Sequence, residues 1–292
     1  MKPRHRLPLL ALACIVFGLL FVPFLTSAAP SGGRLVNLLL TPTVWQYLPY
    51  VVRPVPPTAT PTPPPTPTPG PHWVTIKAEN FEGAFPNQWL VADLDDGSGE
   101  YFWGKRTCKA FAGQFGGWGV GAGANGSQLG CGSNYPDNAF SSMSYGLFSL
   151  ADASDADLTY QLWLESEVNY DFFCSIAVIN ENDADGWCWS GDSDGWFFDE
   201  LDLTDLPDLG DITGQPEVLI ALLFASDGSI SSGEGAHVDD ILLRKFVGAQ
   251  QASAELAPAR PAAGSPTLAR HSLHSLPAEV QGRIMAQLAQ LR

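Results

Sequence analysis

Leu158-Thr159-Tyr160-Gln161-Leu162-Trp163-Leu164-Glu165 decides the fold class. Leu158, Tyr160, Leu162 and Leu164 recur at every second position, the period of a strand with one face buried. Trp163 falls on the opposite face, with Gln161 and Glu165. Working outward, 73–81, 172–179, 195–203, 217–225 and 236–246 also read as strands, separated by Asp/Gly/Asn turns. The run Val218-Leu219-Ile220-Ala221-Leu222-Leu223-Phe224 is apolar on both faces, which suits a strand in the middle of a sandwich. No helical period appears between 73 and 246. The region reads as an all-β sandwich, large enough to bury its own core.

The flanks differ from this region in charge and composition. The chain has 292 residues and a formal net charge of −16. Residues 1–72 carry five Lys/Arg and no acid, whereas residues 73–246 carry 29 acids against six bases, a net −23. An acidic domain excludes nucleic acid, because phosphate contacts need a basic patch. Lys2, Arg4 and Arg6 followed by an apolar run to Leu25 and the small residues Thr26-Ser27-Ala28 predict a signal peptide, 1–28. The alternative is an uncleaved membrane anchor, weakened by Pro8 and Pro23. Residues 29–53 form a short apolar segment. Residues 54–71 hold ten Pro and five Thr in 18 positions, a linker favouring extended polyproline II. At about 3.1 Å per residue it reaches roughly 55 Å. The tail 247–275 is Ala/Pro/Ser-rich and reads as disordered. In 276–292, Val280, Ile284, Leu288 and Leu291 make an apolar stripe at helical spacing after Pro277. That short helix either docks weakly on the domain or binds a partner.

Export explains the cysteines. Apart from Cys14 in the signal region, Cys108, Cys131, Cys174 and Cys188 form an even set, which fits disulfides in an oxidising compartment. Three pairings are open. The economical one joins Cys108 to Cys131 and Cys174 to Cys188, each loop adding on the order of 3 kcal/mol.

The order of motifs across 79–246 resembles a known family. Asn80-Phe81-Glu82-Gly83 with Phe85-Pro86 and Trp89 comes first, followed by Tyr145-Gly146-Leu147-Phe148-Ser149-Leu150 and Leu162-Trp163. Gly195-Trp196, Leu201-Asp202-Leu203, Ser226-Asp227-Gly228-Ser229 and Gly235-Ala236-His237-Val238-Asp239-Asp240-Ile241 complete the series. The series is similar to the MAM-like jelly-roll modules appended to immune inhibitor A-type secreted metalloproteases and other bacterial surface proteins. The resemblance implies a jelly-roll β-sandwich and an accessory, non-catalytic role. Gly-rich 104–134, with its two Cys, departs from the pattern and looks like an insertion.

Calcium is the leading chemical expectation. Asp239 and Asp240 sit among apolar strand residues, so alternation turns one of them inward, where an unpaired carboxylate is costly. First and last strands of a jelly roll lie side by side, so Glu82 joins that Asp as a hard oxygen ligand for structural Ca²⁺. The resemblance implies a structural Ca²⁺ at about the same place. The alternative gives Asp240 backbone N–H partners and leaves Asp239 solvated. Asp183-x-Asp185-Gly186 and Asp192-x-Asp194-Gly195 read as turns. Trp163 is the candidate for stacking on a pyranose ring, with Trp187, Trp189 and Trp103 behind it. No His-Glu-x-x-His occurs, and His237 reads as structural. The expected function is a secreted or cell-surface, non-catalytic module that binds an extracellular glycan or surface protein. A hydrolase using an Asp/Glu pair and an assembly protein acting through the terminal helix are the alternatives.

Overall fold

The computed structural model describes residues 70–95, 97, 99–248 and 268–291. The signal peptide, the apolar segment 29–53 and nearly all of the Pro/Thr linker lie outside these residues. Among the described residues, no helix is long and apolar enough to cross a membrane.

Among the described residues, twelve strands follow in chain order: β1 (His72–Glu79), β2 (Leu90–Asp93), β3 (Phe102–Arg106), β4 (Gly116–Ala122), β5 (Phe140–Phe148) and β6 (Ala153–Glu165). Then come β7 (Phe172–Val178), β8 (Ala184–Ser190), β9 (Phe197–Asp202), β10 (Val218–Ala225), β11 (Gly235–Val247) and β12 (Ala269–Ser272). They form two antiparallel sheets, β3-β4-β11-β6-β9 with β1 also paired to β11, and β12-β8-β7-β10-β5-β2. The chain is a jelly-roll β-sandwich. Leu158, Tyr160, Leu162 and Leu164 point into the core between the sheets, as their alternation predicts, and Trp163 lies on the outer face of the first sheet.

β10 shows why both its faces are apolar. Val218, Ile220, Leu222 and Phe224 belong to the core between the sheets. Leu219, Ala221, Leu223 and Ala225 face the other way, into a second core. That second core is roofed by the chain's C-terminal segment, through Leu273, Leu276, Ile284 and Leu288. The terminal helix, Ala278–Leu288, is thus part of the fold, and its stripe is spent on the second sheet. A helix this short is marginal alone, so the apolar sheet face holds it in place, at about 1.5–3 kcal/mol per buried large side chain. Arg283 fixes the same helix by donating to the carbonyls of Ser226 (3.0 Å) and Asn138 (2.9 Å). The partner-binding reading of this stripe is therefore corrected for the docked helix.

Three other expectations change. Segment 104–134 is part of the sandwich, because β4 pairs with β11 inside the first sheet and Trp118 and Val120 are fully buried. Its glycines hide the strand: a Cβ at Gly117 would strike the Phe81 ring, and one at Gly119 would press on Phe224. Asp185-Gly186 lies within β8 rather than in a turn, and Asp185 is fully buried. Within 247–275, Ala269–Ser272 pair with β8 as an edge strand. Both disulfides follow the economical pairing, Cys108–Cys131 and Cys174–Cys188.

Candidate functional site

Trp118, His237 and Trp163 are register partners across β4, β11 and β6, so their side chains leave the same face of the first sheet. His237 stacks on Trp118, with centroids 5.4 Å apart and planes 11° from parallel. Both are fully buried. Trp163, at the other end of the row, is only half-buried. Trp196, just before β9, meets it edge-on at 6.0 Å, and Phe111 meets Trp196 at 6.0 Å. Phe111 is 47% exposed. Trp163, Trp196 and Phe111 thus form an aromatic patch beside solvent.

Charged groups frame the patch. The Lys109 ammonium lies 4.8 Å from the Trp163 ring centroid, a cation–π position. It also pairs with Glu234 and, at 3.8 Å, with Glu165. The Trp163 indole N–H donates to Glu165 Oε1 at 3.1 Å. His237 and then Lys109 hold the Glu234 carboxyl down to about 2. The His237 imidazole Nε2 lies 3.6 Å from the Glu234 carboxylate. Burial holds His237 itself below the usual histidine range, so it stays neutral near pH 7.

The patch exists because a loop, 107–115, is folded over the sheet. The Cys108–Cys131 disulfide fixes its start. Asp239 Oδ2 accepts the N–H groups of Phe111 (2.8 Å) and Ala112 (3.2 Å). Glu82 Oε1 accepts those of Gln114 (2.7 Å) and Phe115 (2.9 Å). Gly113, at φ +71°, completes the bend, and a Cβ there would run into the Glu82 carboxylate. These N–H donors lower the Glu82 carboxyl, whereas burial raises that of Asp239. Glu82 and Asp239 therefore position the loop that carries Lys109 and Phe111.

The calcium expectation meets this geometry directly. Asp239 is buried and Asp240 exposed. This exchanges the roles of the N–H-paired alternative, because a bulge at Asp239/Leu242 breaks the alternation and leaves Asp240 at φ +47°. Glu82, Asp239 and Asp240 do not gather as a ligand trio. Among the described residues, the group whose ligand atoms all lie within 4.8 Å is Asp185, Asp208 and His274. As placed, Glu82 Oε1 and Asp239 Oδ2 each accept two backbone N–H groups of the loop.

Of the weaker aromatic candidates, Trp103 and Trp189 are buried in the core. Trp187 is half-buried with the Arg270 guanidinium 3.9 Å from its ring centroid. Asp192 accepts the Asp194 N–H at 2.8 Å, the turn expected there. Sequence reasoning missed Lys109, Phe111 and Glu234. The positions of Lys109 and Phe111 depend on the loop crossing the sheet, to which only the Gly-rich composition and the two Cys pointed.

No family model matches the chain, and no curated protein sequence matches it. Solved structures align with it at low similarity. The K3 cleaved adhesin domain of Lys-gingipain from Porphyromonas gingivalis aligns at 15% identity and TM-score 0.34, over 58% of this chain and 98% of that one. The CBM22-1 xylan-binding domain of Paenibacillus barcinonensis Xyn10C aligns at 12% identity and TM-score 0.36, over 61% and 97%. A family 11 carbohydrate-binding module from Clostridium thermocellum, in complex with a β-1,3-1,4-mixed-linked tetrasaccharide, aligns at 14% identity and TM-score 0.35, over 60% and 95%.

Proposed function

We propose that the chain is a secreted, non-catalytic module that binds a neutral glycan on the Trp163–Trp196–Phe111 patch. The carrying observation is the patch itself, an aromatic surface on a rigid sheet flanked by Lys109, Glu165 and Glu234. Aromatic rings stack on the apolar C–H faces of pyranose rings, and the framing charges hydrogen-bond ring hydroxyls. Two carboxylates against one ammonium, on a domain of net −23, disfavour an anionic polysaccharide. The N-terminal signal-like sequence and the two disulfides support secretion or cell-surface display. The MAM-like affiliation rests on motif order alone. Structural calcium at Glu82 and Asp239 is a separate proposal, because both carboxylates have partners without it.

The hydrolase alternative needs one carboxyl held protonated beside an ionised one. Glu234, held to about 2, can serve only as the ionised member. A screen of purified protein against neutral and acidic polysaccharides tests the reading. Binding to a neutral glycan without release of reducing ends supports it, and hydrolysis would overturn the non-catalytic role.

A further inference from the structure

Around the start of β8, three segments bring metal-binding side chains to one point. Asp185 comes from β8, Asp208 from the loop after β9, and His274 from the C-terminal segment that roofs the second sheet. Two aspartates alone would be ordinary. The distinguishing feature is an imidazole brought by a third segment, with its Nε2 4.0 Å from the Oδ1 of fully buried Asp185. We propose that Asp185, Asp208 and His274 bind a divalent transition-metal ion, Zn²⁺ or a close analogue, that clamps the C-terminal segment to the sandwich.

The spacing suits such an ion. With ligand bonds of about 2.0–2.2 Å, neighbouring ligand atoms around zinc lie roughly 3–4 Å apart. All three ligand atoms here are within 4.8 Å of one another, so closure is a matter of side-chain rotation by exposed Asp208 and His274. A set of one imidazole and two carboxylates suits zinc, nickel, cobalt or manganese, whereas calcium takes oxygen ligands alone. Backbone donors hold the Asp185 carboxylate in place. Its Oδ2 accepts the N–H groups of Asp208 (2.6 Å) and Leu209 (2.9 Å), and its Oδ1 that of Gly186 (2.7 Å). The same bonds fix where the backbone of Asp208 sits.

His274 has a matching outer partner. Its Nε2–H donates to the Ala184 carbonyl at 3.0 Å, and its Nδ1 accepts from Gln281 Nε2 at 2.9 Å. Binding through Nε2 moves the imidazole proton to Nδ1. The Gln281 amide then turns to present its oxygen as the acceptor, the second partner that zinc-bound histidines use. The ion would tie β8, the loop after β9 and the C-terminal segment together.

The test is thermal unfolding and titration calorimetry of the full chain after chelator treatment, with Zn²⁺, Co²⁺ and Ca²⁺. Zn²⁺ raises the melting temperature by several degrees, and Co²⁺ gives the visible absorption of nitrogen/oxygen coordination. His274→Ala and Asp208→Asn abolish the metal-induced shift, and Gln281→Ala weakens binding about tenfold or more. The readout is the shift between metal-free and metal-loaded protein, so any loss of basal stability in His274→Ala does not interfere. His72→Ala is the surface-histidine control and keeps the shift. Zn²⁺ binding unchanged by both ligand variants, or no binding in the micromolar range, overturns the proposal.

Discussion

Replacing Ile284 with alanine tests whether the C-terminal segment belongs to the fold. Ile284 is fully buried and sits with Leu288 against the outward side chains of β7 and β10. Truncating a buried Ile to Ala costs about 2–5 kcal/mol, from lost transfer energy plus the cavity left behind. The helix lies on the outside of the sheet, and Ala286 and Gln290 face solvent. It can therefore settle partly into the gap, which places the cost near the low end, about 2–3 kcal/mol. A domain of this size loses roughly 2–4 °C per kcal/mol, so the melt should fall by about 5–10 °C. Circular dichroism melts of wild type, Ile284→Ala and Gln290→Ala decide the matter, with Gln290→Ala staying within about 1–2 °C of wild type. If Ile284→Ala melts with wild type, the helix is not docked, and the partner-binding reading of its stripe returns.

Other consequences follow from single groups. Asp171 is buried with the Tyr135 hydroxyl donating to it at 2.5 Å, and burial pushes its carboxyl up to about 6. Its unfolded value is about 3.9, so the stabilisation is complete below about pH 4 and is lost as pH rises through about 6. The effect is on the order of 2 kcal/mol after allowing for solvent screening. Asp171→Asn should flatten the stability profile in that window, and an unchanged slope would refute the assignment. Asp239→Ala strips the acceptor from two loop N–H groups, costing about 2–3 kcal/mol and loosening the loop that carries Phe111. Rapid hydrogen exchange at Phe111 and Ala112 reports this, and unchanged protection would count against the loop's dependence on Asp239. If calcium sits at Glu82 and Asp239, a chelator lowers the melting temperature and added Ca²⁺ restores it. A melt indifferent to both removes that ion.

Strands with clean alternation or a continuous apolar run were legible in the sequence. Leu158–Leu164 and Val218–Phe224 carry their burial in their side chains, and the structure places them as read. β4 was not legible, because Gly117 and Gly119 leave space for Phe81 and Phe224 and so erase the periodic signal. β8 was hidden for a related reason. Asp185-Gly186 has turn composition, yet the Gly lies against the backbone of Ser175, where a Cβ would collide. The double-sided β10 pointed to a covered outer face without saying what covered it. The helical stripe was visible as well, but joining the two needs the tertiary contact. At the candidate site, Trp163 follows from alternation alone. Its neighbours Trp196, Phe111 and Lys109 come from other segments, and only the loop held by Glu82 and Asp239 brings them together. Glu82, Asp239 and Asp240 stood out in the sequence as candidate calcium ligands, and the structure gives Glu82 and Asp239 loop N–H groups to hold.

The most direct test of the central claim is a binding measurement on neutral glycans with wild type, Trp163→Ala and Trp196→Ala. The account predicts that wild type binds at least one neutral polysaccharide and that each substitution weakens binding about fivefold or more, about 1–3 kcal/mol per lost aromatic contact. Both variants should keep the wild-type melting profile to within a few degrees. Binding that survives both substitutions, or selective binding to an anionic polysaccharide, would contradict the account.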